Sequence, residues 1–164
     1  MPWTADHEPT SLADYLTAMS KAVFQSGISW QVIDKKWDGI AAAFDGFDPE
    51  MVAAYTPDDV ERLMGDARVV RNRKKLEAII RNAGEIIVTA RDFGDFEAYL
   101  ASFADNDALI KDLTKRFSFL GGSTAHFFLF GIGWNYPAQE AWAKEHFGAA
   151  EEAHWAHKHA RSRR

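Results

Sequence analysis

The order of apolar and polar positions along the chain follows a helical period almost throughout. Ser11 has the character of an N-cap, and a second apolar stripe runs from Trp30 to Phe44. No stretch alternates with a period of two, and no hairpin dipeptide such as Asn-Gly joins two apolar runs. The pattern therefore predicts an all-α fold. The first apolar stripe, at spacings of three and four, consists of Leu12, Tyr15, Leu16, Met19 and Val23.

Prolines and capping residues predict where the later helices begin. Asp48-Pro49 and Thr56-Pro57 each combine a capping side chain with Pro at the first helical position. A long helix is expected after the basic segment 68–75. Further helices are expected to start at Asp92, at Asn106, after the glycines before Ser123, and at Pro137. These eight or nine helices predict one compact domain over residues 1–164, with flexible tails at 1–10 and 150–164.

Composition narrows the classes of function. Of the 164 residues, 47% are hydrophobic and 26% are charged, which is typical of a globular domain. The chain has no Cys, which excludes disulfides, thiolate zinc sites, iron–sulfur clusters and cysteine nucleophiles. The apolar runs are far shorter than the roughly 20 residues that cross a bilayer, and the start lacks the features of a secretory signal. We therefore expect a cytoplasmic protein without membrane contact.

Charge is distributed unevenly. Residues 1–67 hold 4 Lys and Arg against 12 Asp and Glu, whereas residues 68–164 hold 15 against 12. The segment 68–75 carries five positive charges and no negative one. Such a cluster can contact phosphates while the rest of the molecule remains acidic; the alternative is a solvated start of a basic helix. The candidate phosphate contacts are Arg71, Arg73, Lys74 and Lys75.

A glycine-rich turn between two predicted helices is the second candidate site. It consists of Phe119, Leu120, Gly121, Gly122, Ser123 and Thr124. Its two glycines permit positive φ and leave backbone N–H groups uncovered at the start of the next helix. A helix N-terminus of this kind binds phosphate without net positive charge. The alternative is an ordinary glycine turn.

Several segments, in order, resemble the 3-methyladenine DNA glycosylase I family, a branch of the helix-hairpin-helix DNA glycosylases. The similarity extends from about residue 12 to 133 and is most specific from Phe47 to Ala83. It implies an all-α glycosylase with a base pocket between two helical lobes. The segments are Gln25-Ser26-Gly27-Ile28-Ser29-Trp30, Phe47-Asp48-Pro49, residues 59–67, Val70-Arg71-Asn72-Arg73-Lys74-Lys75-Leu76 with Asn82-Ala83, and Phe117-Ser118-Phe119-Leu120-Gly121.

The resemblance also implies roles for particular residues. The turn at 119–124 corresponds to the hairpin that grips DNA phosphates, and Trp30 corresponds to the tryptophan that lines the base pocket. An aromatic wall suits a flipped base, because it offers the base a new stacking partner in place of its neighbours in the duplex. Gln25 is the nearest polar side chain and could hydrogen-bond a base edge. By sequence alone, core packing is an equal interpretation of Trp30.

This chain departs from the family pattern at the base pocket and at the metal site. The family has a Glu five residues before the Gly of its Gly-x-Ser-Trp segment, whereas this chain has Ala22. The family's zinc site uses Cys and His, and this chain has no Cys. Residues 99–103 resemble the family's Phe-Trp-x-Phe motif without its Trp, and the pocket tyrosines have no counterpart in residues 1–10. The DNA grip is thus expected to be retained while base recognition has changed or disappeared.

Glu140 is the candidate catalytic carboxylate. In the wider superfamily a catalytic Asp follows the hairpin after a Gly and a Pro-containing loop, and Glu140 follows Gly133 and Pro137 in a similar place. Its carboxylate could stabilise a cationic sugar or activate water; alternatively, it only favours a helix dipole. His126 is expected to be a hydrogen-bonded core residue. The tail histidines His154, His157 and His159 are expected to be solvated and to form no metal site with His7, and no cofactor is expected.

Three functions remain open from the sequence. The first is a DNA base-excision repair enzyme, similar to DNA-3-methyladenine glycosylase, that hydrolyses the N-glycosidic bond of alkylated purines. The second is a helix-hairpin-helix module that binds DNA with weak or no catalysis. The third is a helical bundle without a DNA role, which the resemblance makes least favoured. We expect a monomer whose partner is double-stranded DNA, contacted through phosphates.

Overall fold

In the computed structural model, which describes residues 9–146, one helix is surrounded by the others. This helix, α1 (Leu12–Gln25), begins at Ser11, whose side chain accepts a hydrogen bond from the backbone N–H of Asp14 as predicted. It packs against α5 and α8, which are described below. All residues from Ala18 to Gln25 are buried, although they include Ser20, Lys21 and Gln25. A helix buried on every face places its polar side chains inside the protein, where they require partners.

Short helices close one side of the core. α2 (Trp30–Ala43) leads through a 3₁₀ turn (Asp45–Phe47) into α3 (Pro49–Ala53) and α4 (Pro57–Met64). The predicted proline-containing N-termini of α3 and α4 are confirmed. The Asp48 side chain accepts from two backbone N–H groups of α3, and a capping box of Thr56 and Asp59 begins α4.

The longest helix, α5 (Arg73–Phe93), has 21 residues and contacts α1, α3, α4 and α6. The predicted helix start at Asp92 is wrong, because Asp92 still belongs to the last turn of α5. Gly94 ends α5 at a φ of 97°, which only glycine adopts readily. The Asp95 side chain then accepts from the N–H of Ala98 and begins α6 (Phe96–Ala101). The N-cap of α6 is therefore Asp95, three residues after the predicted start at Asp92.

Two helices and a hairpin complete the fold. α7 (Asn106–Arg116) is capped by Asp105, and α8 (Ser123–Gly131) is buried on every face from Thr124 onwards. Residues 136–146 are helical, in agreement with a start near Pro137. Residues 9–146 contain no strand, and none of their helices combines the length and the apolar character needed to cross a membrane. The predicted tails fall mostly outside the described residues.

Candidate nucleic-acid interface and base pocket

The hairpin between α7 and α8 is anchored to the core by its own buried side chains and by hydrogen bonds from α5. Phe117 and Leu120 are buried, and Thr114 donates its hydroxyl to the Leu120 carbonyl at 2.8 Å. The Asn82 side chain of α5 forms two hydrogen bonds with the Ser118 backbone. It accepts from the Ser118 N–H at 2.7 Å and donates to the Ser118 carbonyl at 3.0 Å. These two hydrogen bonds fix the position of the Ser118 backbone relative to α5.

The exposed part of the hairpin consists mainly of backbone. Gly122 has φ 55° and ψ −130°, and Phe119 has φ 63° with its ring exposed. Within residues 9–146, the backbone N–H groups of Gly122 and Ser123 have no hydrogen-bond acceptor. They lie at the N-terminus of α8, where the helix dipole is positive. The side chains of Leu120 and Thr124 are buried, so these two predicted contacts can reach a phosphate only through their backbone.

The basic segment 68–75 does not present all of its charges to solvent. Arg71 and Lys74 are exposed. Arg73 is exposed too, but its guanidinium binds the Glu61 carboxylate at 2.7 and 2.8 Å. An exposed pair of this kind is worth little and can be exchanged for a phosphate contact.

Lys75 was predicted to contact DNA phosphates, and this prediction is wrong because its side chain is buried. Its side chain is 4% exposed, and its ammonium donates to the carbonyls of Phe24 at 3.0 Å and Ser26 at 2.5 Å. The C-terminal carbonyls of a helix lack intrahelical donors, and Lys75 supplies two for α1. Burial lowers the pKa of the Lys75 ammonium. The sequence did not indicate that Lys75 binds the end of α1, because it stands among exposed basic residues.

The turn at 26–29 joins the C-terminus of α1 to the N-terminus of α2, where the predicted pocket residues lie. Gln25 is 9% exposed, and its amide nitrogen donates to the Ala22 carbonyl at 3.1 Å. Trp30 is the first residue of α2, half-buried against the core. Ala22 is fully buried. The methyl group that replaces the family's Glu therefore belongs to the core.

Glu140 lies half-buried in the helical segment 136–146. Two clefts of the described residues open beside the loop that precedes this segment, with volumes of about 410 and 60 Å³. Trp134 lines both of them, and neither lining includes Gln25, Trp30 or Glu140. These clefts therefore do not bring the predicted base-pocket residues together with the predicted carboxylate.

His126 is a hydrogen-bonded core residue, as predicted. Its Nδ1 lies 2.6 Å from Oε1 of the fully buried Gln139, and burial lowers the pKa of the imidazole. Within the described part of the chain, no three His, Asp or Glu residues converge on a possible metal position. The zinc site implied by the family resemblance does not fit this chain, because its thiolate ligands have no counterpart. His7, His154, His157 and His159 lie outside the described residues.

Sequence reasoning missed a buried charged group, Lys21, which directly precedes Ala22 in α1. The Lys21 side chain is 6% exposed, and its ammonium lies 4.9 Å from the ring centroid of Trp37. Burial lowers the pKa of Lys21 to about 8, against the opposing effect of the negative charge on Asp34. Lys21 directly precedes Ala22 in a helix that is buried on every face. A lysine inside a stretch of otherwise small or apolar residues was the available signal.

Comparison with known sequences places this arrangement in a family. A sequence profile described as Methyladenine glycosylase matches residues 7–120. DNA-3-methyladenine glycosylase 1 of Escherichia coli (strain K12) is 34% identical over 130 aligned residues, which cover 66% of this chain and 70% of the relative. DNA-3-methyladenine glycosylase of Haemophilus influenzae is 28% identical with the same coverage.

Solved structures agree with the sequence comparison. A variant of 3-methyladenine DNA glycosylase I, solved in complex with 3-methyladenine, superposes with a TM-score of 0.69 at 28% identity. The match covers 79% of this chain and 81% of that structure. The Staphylococcus aureus enzyme also gives 0.69 at 28% identity, with 79% and 80% covered. Since the profile spans well over half of the residues and the fold agrees, this chain belongs to the methyladenine glycosylase family.

Proposed function

We propose that this chain is a DNA-3-methyladenine glycosylase of base-excision repair, which hydrolyses the N-glycosidic bond of alkylated purines in double-stranded DNA. Family membership together with the shared fold is the observation that carries this function. The relatives are named DNA-3-methyladenine glycosylases, and one similar structure holds 3-methyladenine. We take residues 1–164 as a single domain that acts as a monomer.

DNA is held through phosphates at two places in this proposal. One phosphate accepts hydrogen bonds from the N–H groups of Gly122 and Ser123, where the α8 dipole also favours negative charge. Arg71 and Lys74 contribute positive charge from the start of α5, and Arg73 contributes when it leaves Glu61. These contacts are independent of sequence, so we expect a Kd of about 10⁻⁴–10⁻⁶ M that weakens steeply with salt.

The flipped base stacks on Trp30 beside Gln25. The Gln25 amide nitrogen donates one hydrogen to the Ala22 carbonyl, so its second N–H and its carbonyl oxygen are the groups that can contact a base. N3- and N7-alkylated purines carry a positive charge and leave the sugar with little help from a general acid. A pocket that flips and stacks such a base therefore suffices for slow excision. We expect neutral lesions and normal bases to remain attached.

Glu140 is the residue to which we assign stabilisation of the cationic sugar. Its place in the first turns of the helical segment 136–146, after Gly133 and Pro137, supports this role. A carboxylate close to the sugar favours the oxocarbenium-like transition state. If Glu140 serves only the helix dipole, its charge contributes to stability but not to catalysis.

Base release from alkylated duplex DNA tests the proposal. Wild-type protein is compared with Glu140→Gln and with Glu145→Gln, an exposed carboxylate of the same helix. We expect the wild type and Glu145→Gln to release 3-methyladenine and Glu140→Gln to be slower. Binding to alkylated DNA without any release at high protein excess would replace the enzyme by a binding module.

A further inference from the structure

One face of α2 presents a carboxylate next to the proposed pocket tryptophan. Trp30, Asp34 and Trp37 are spaced by four and three residues, so their side chains are neighbours on the helix surface. Asp34 is half-buried on this face, whereas Asp38, one turn later, is exposed. The Cβ atoms of residues four apart lie about 5–6 Å from one another. The Asp34 carboxylate is thus within reach of a molecule stacked on Trp30.

A positive charge lies on the far side of Asp34. The Lys21 ammonium lies over the Trp37 ring, at 4.9 Å from its centroid, and the negative charge of Asp34 acts on it. Along α2 the order is therefore Trp30, then the carboxylate, then the ammonium. Lys21 also directly precedes Ala22, the position of the missing family Glu, in α1.

Stability alone is a weak reason for keeping such a pair. An ammonium that is 6% exposed loses most of its hydration, and the attraction of a half-buried carboxylate regains only part of that cost. Methionine in place of Lys21 would preserve the packing against Trp37 without the charge. Charged groups with perturbed pKa values are frequent at functional sites.

We propose that Asp34 supplies, from α2, the negative charge that recognises a cationic purine, in place of the Glu that α1 lacks at position 22. The inference rests on the proposed function and specifies how its pocket selects the base. A cationic purine stacked on Trp30 gains Coulomb energy from the carboxylate, and a neutral purine does not.

Single-turnover release of 3-methyladenine from methylated duplex DNA tests the inference. We compare the wild type with Asp34→Asn, Asp34→Glu and the matched control Asp38→Asn, which removes the same charge from an exposed position one turn further from Trp30. Asp34→Asn is expected to be at least about tenfold slower. Asp34→Glu is expected to retain most of the rate, and Asp38→Asn all of it. Asp34→Ser provides a second neutral variant if Asp34→Asn does not fold.

The outcomes separate the inference from the function on which it rests. An active wild type with a folded neutral variant within twofold of its rate would overturn the role of Asp34 and leave the function intact. If the wild type releases no base, both the proposed function and the role of Asp34 are contradicted. A second measurement uses the free nucleosides 7-methylguanosine, which is cationic, and guanosine. Asp34→Asn should lose the preference for the cation in tryptophan quenching, and an unchanged preference contradicts the inference.

Discussion

The hairpin and the pocket side of α1 use different parts of the chain to present their chemistry. At the hairpin the exposed groups are backbone N–H groups, held by buried side chains and by Asn82. At the C-terminal half of α1 the groups that matter are side chains, among them the buried Lys21 and Gln25. The hairpin offers the same amides whatever side chains it carries, provided its conformation persists.

This difference explains why one region retains the family pattern and the other departs from it. A backbone site depends on a few positions that permit the conformation, such as Gly122 at φ 55°. A side-chain site changes its chemistry with a single substitution, as with Ala22. In the proposed function the phosphate contacts of the hairpin therefore persist, while base selection moves from α1 to Asp34 on α2. The following experiments test this contrast, starting with the largest expected effect.

Replacing Trp30 by Ala is expected to slow release of 3-methyladenine by up to about 100-fold, because base–aromatic stacking is worth about 1–3 kcal/mol. Ala22→Ser should be less damaging, since it keeps the aromatic surface. DNA affinity measured at constant salt should not change in either variant. Since Trp30 also packs against the core, thermal unfolding is measured beside activity. Equal release by a folded Trp30→Ala variant would remove Trp30 from the pocket.

Two adjacent lysines should behave in opposite ways. Lys75→Met leaves the carbonyls of Phe24 and Ser26 without their donor and should lower the free energy of unfolding by about 1–3 kcal/mol. The salt dependence of DNA binding should remain that of the wild type. Lys74→Met should leave stability unchanged and reduce the slope of log affinity against log salt by about 1. Urea unfolding measures the stability of both variants, and salt titration measures their DNA binding. A stability loss in Lys74→Met together with a changed salt slope in Lys75→Met would contradict the structure.

Lys21 should make stability depend on pH. Its pKa is about 8 in the folded protein and 10.5 in the unfolded chain, so between these values the unfolded state binds more protons. The free energy of unfolding should therefore rise with pH, by about 2 kcal/mol from pH 7 to about pH 9.5. Lys21→Met lacks this contribution. Urea unfolding of both proteins checks it, and parallel pH profiles would show that Lys21 is not desolvated.

The smallest effect is expected at the hairpin glycines. Gly122→Val places a β-branched residue at φ 55° and ψ −130°, so the loop must shift. Affinity for duplex DNA should fall about tenfold while helical content is unchanged. Gly121→Ala is the control, because its Cβ would lie 3.7 Å from the Thr114 methyl carbon, an ordinary contact. If Gly122→Val binds as well as Gly121→Ala, the hairpin is not the grip.

The helices were predictable where local chemistry decides them. Ser11, Asp48 and Thr56 mark helix starts because their side chains cap the adjacent N–H groups, and the structure confirms all three. The predicted helix start at Asp92 was wrong because Asp92 and Asp95 are both capping residues and the local sequence does not distinguish them. Since α5 ends at Gly94, only Asp95 can be the N-cap of α6.

Burial of the charged residues was not predictable in the same way. Lys74 and Lys75 are neighbours in a basic run, and the rotation of α5 against α1 alone makes one a surface charge and the other an internal donor. Lys21 is charged in sequence and buried in structure for the same reason. Tertiary contacts decide such positions, and a pattern along the chain does not contain them.

α5 contacts both regions within a short distance along its length. Lys75 binds the end of α1, and Asn82 binds the hairpin seven residues later, which is about 10 Å along a helix. An insertion of one residue between them would rotate one anchor by about 100° relative to the other and detach it. The spacing between residues 75 and 82 is therefore constrained by both contacts at once, whereas a substitution on α1 or α2 leaves that spacing intact.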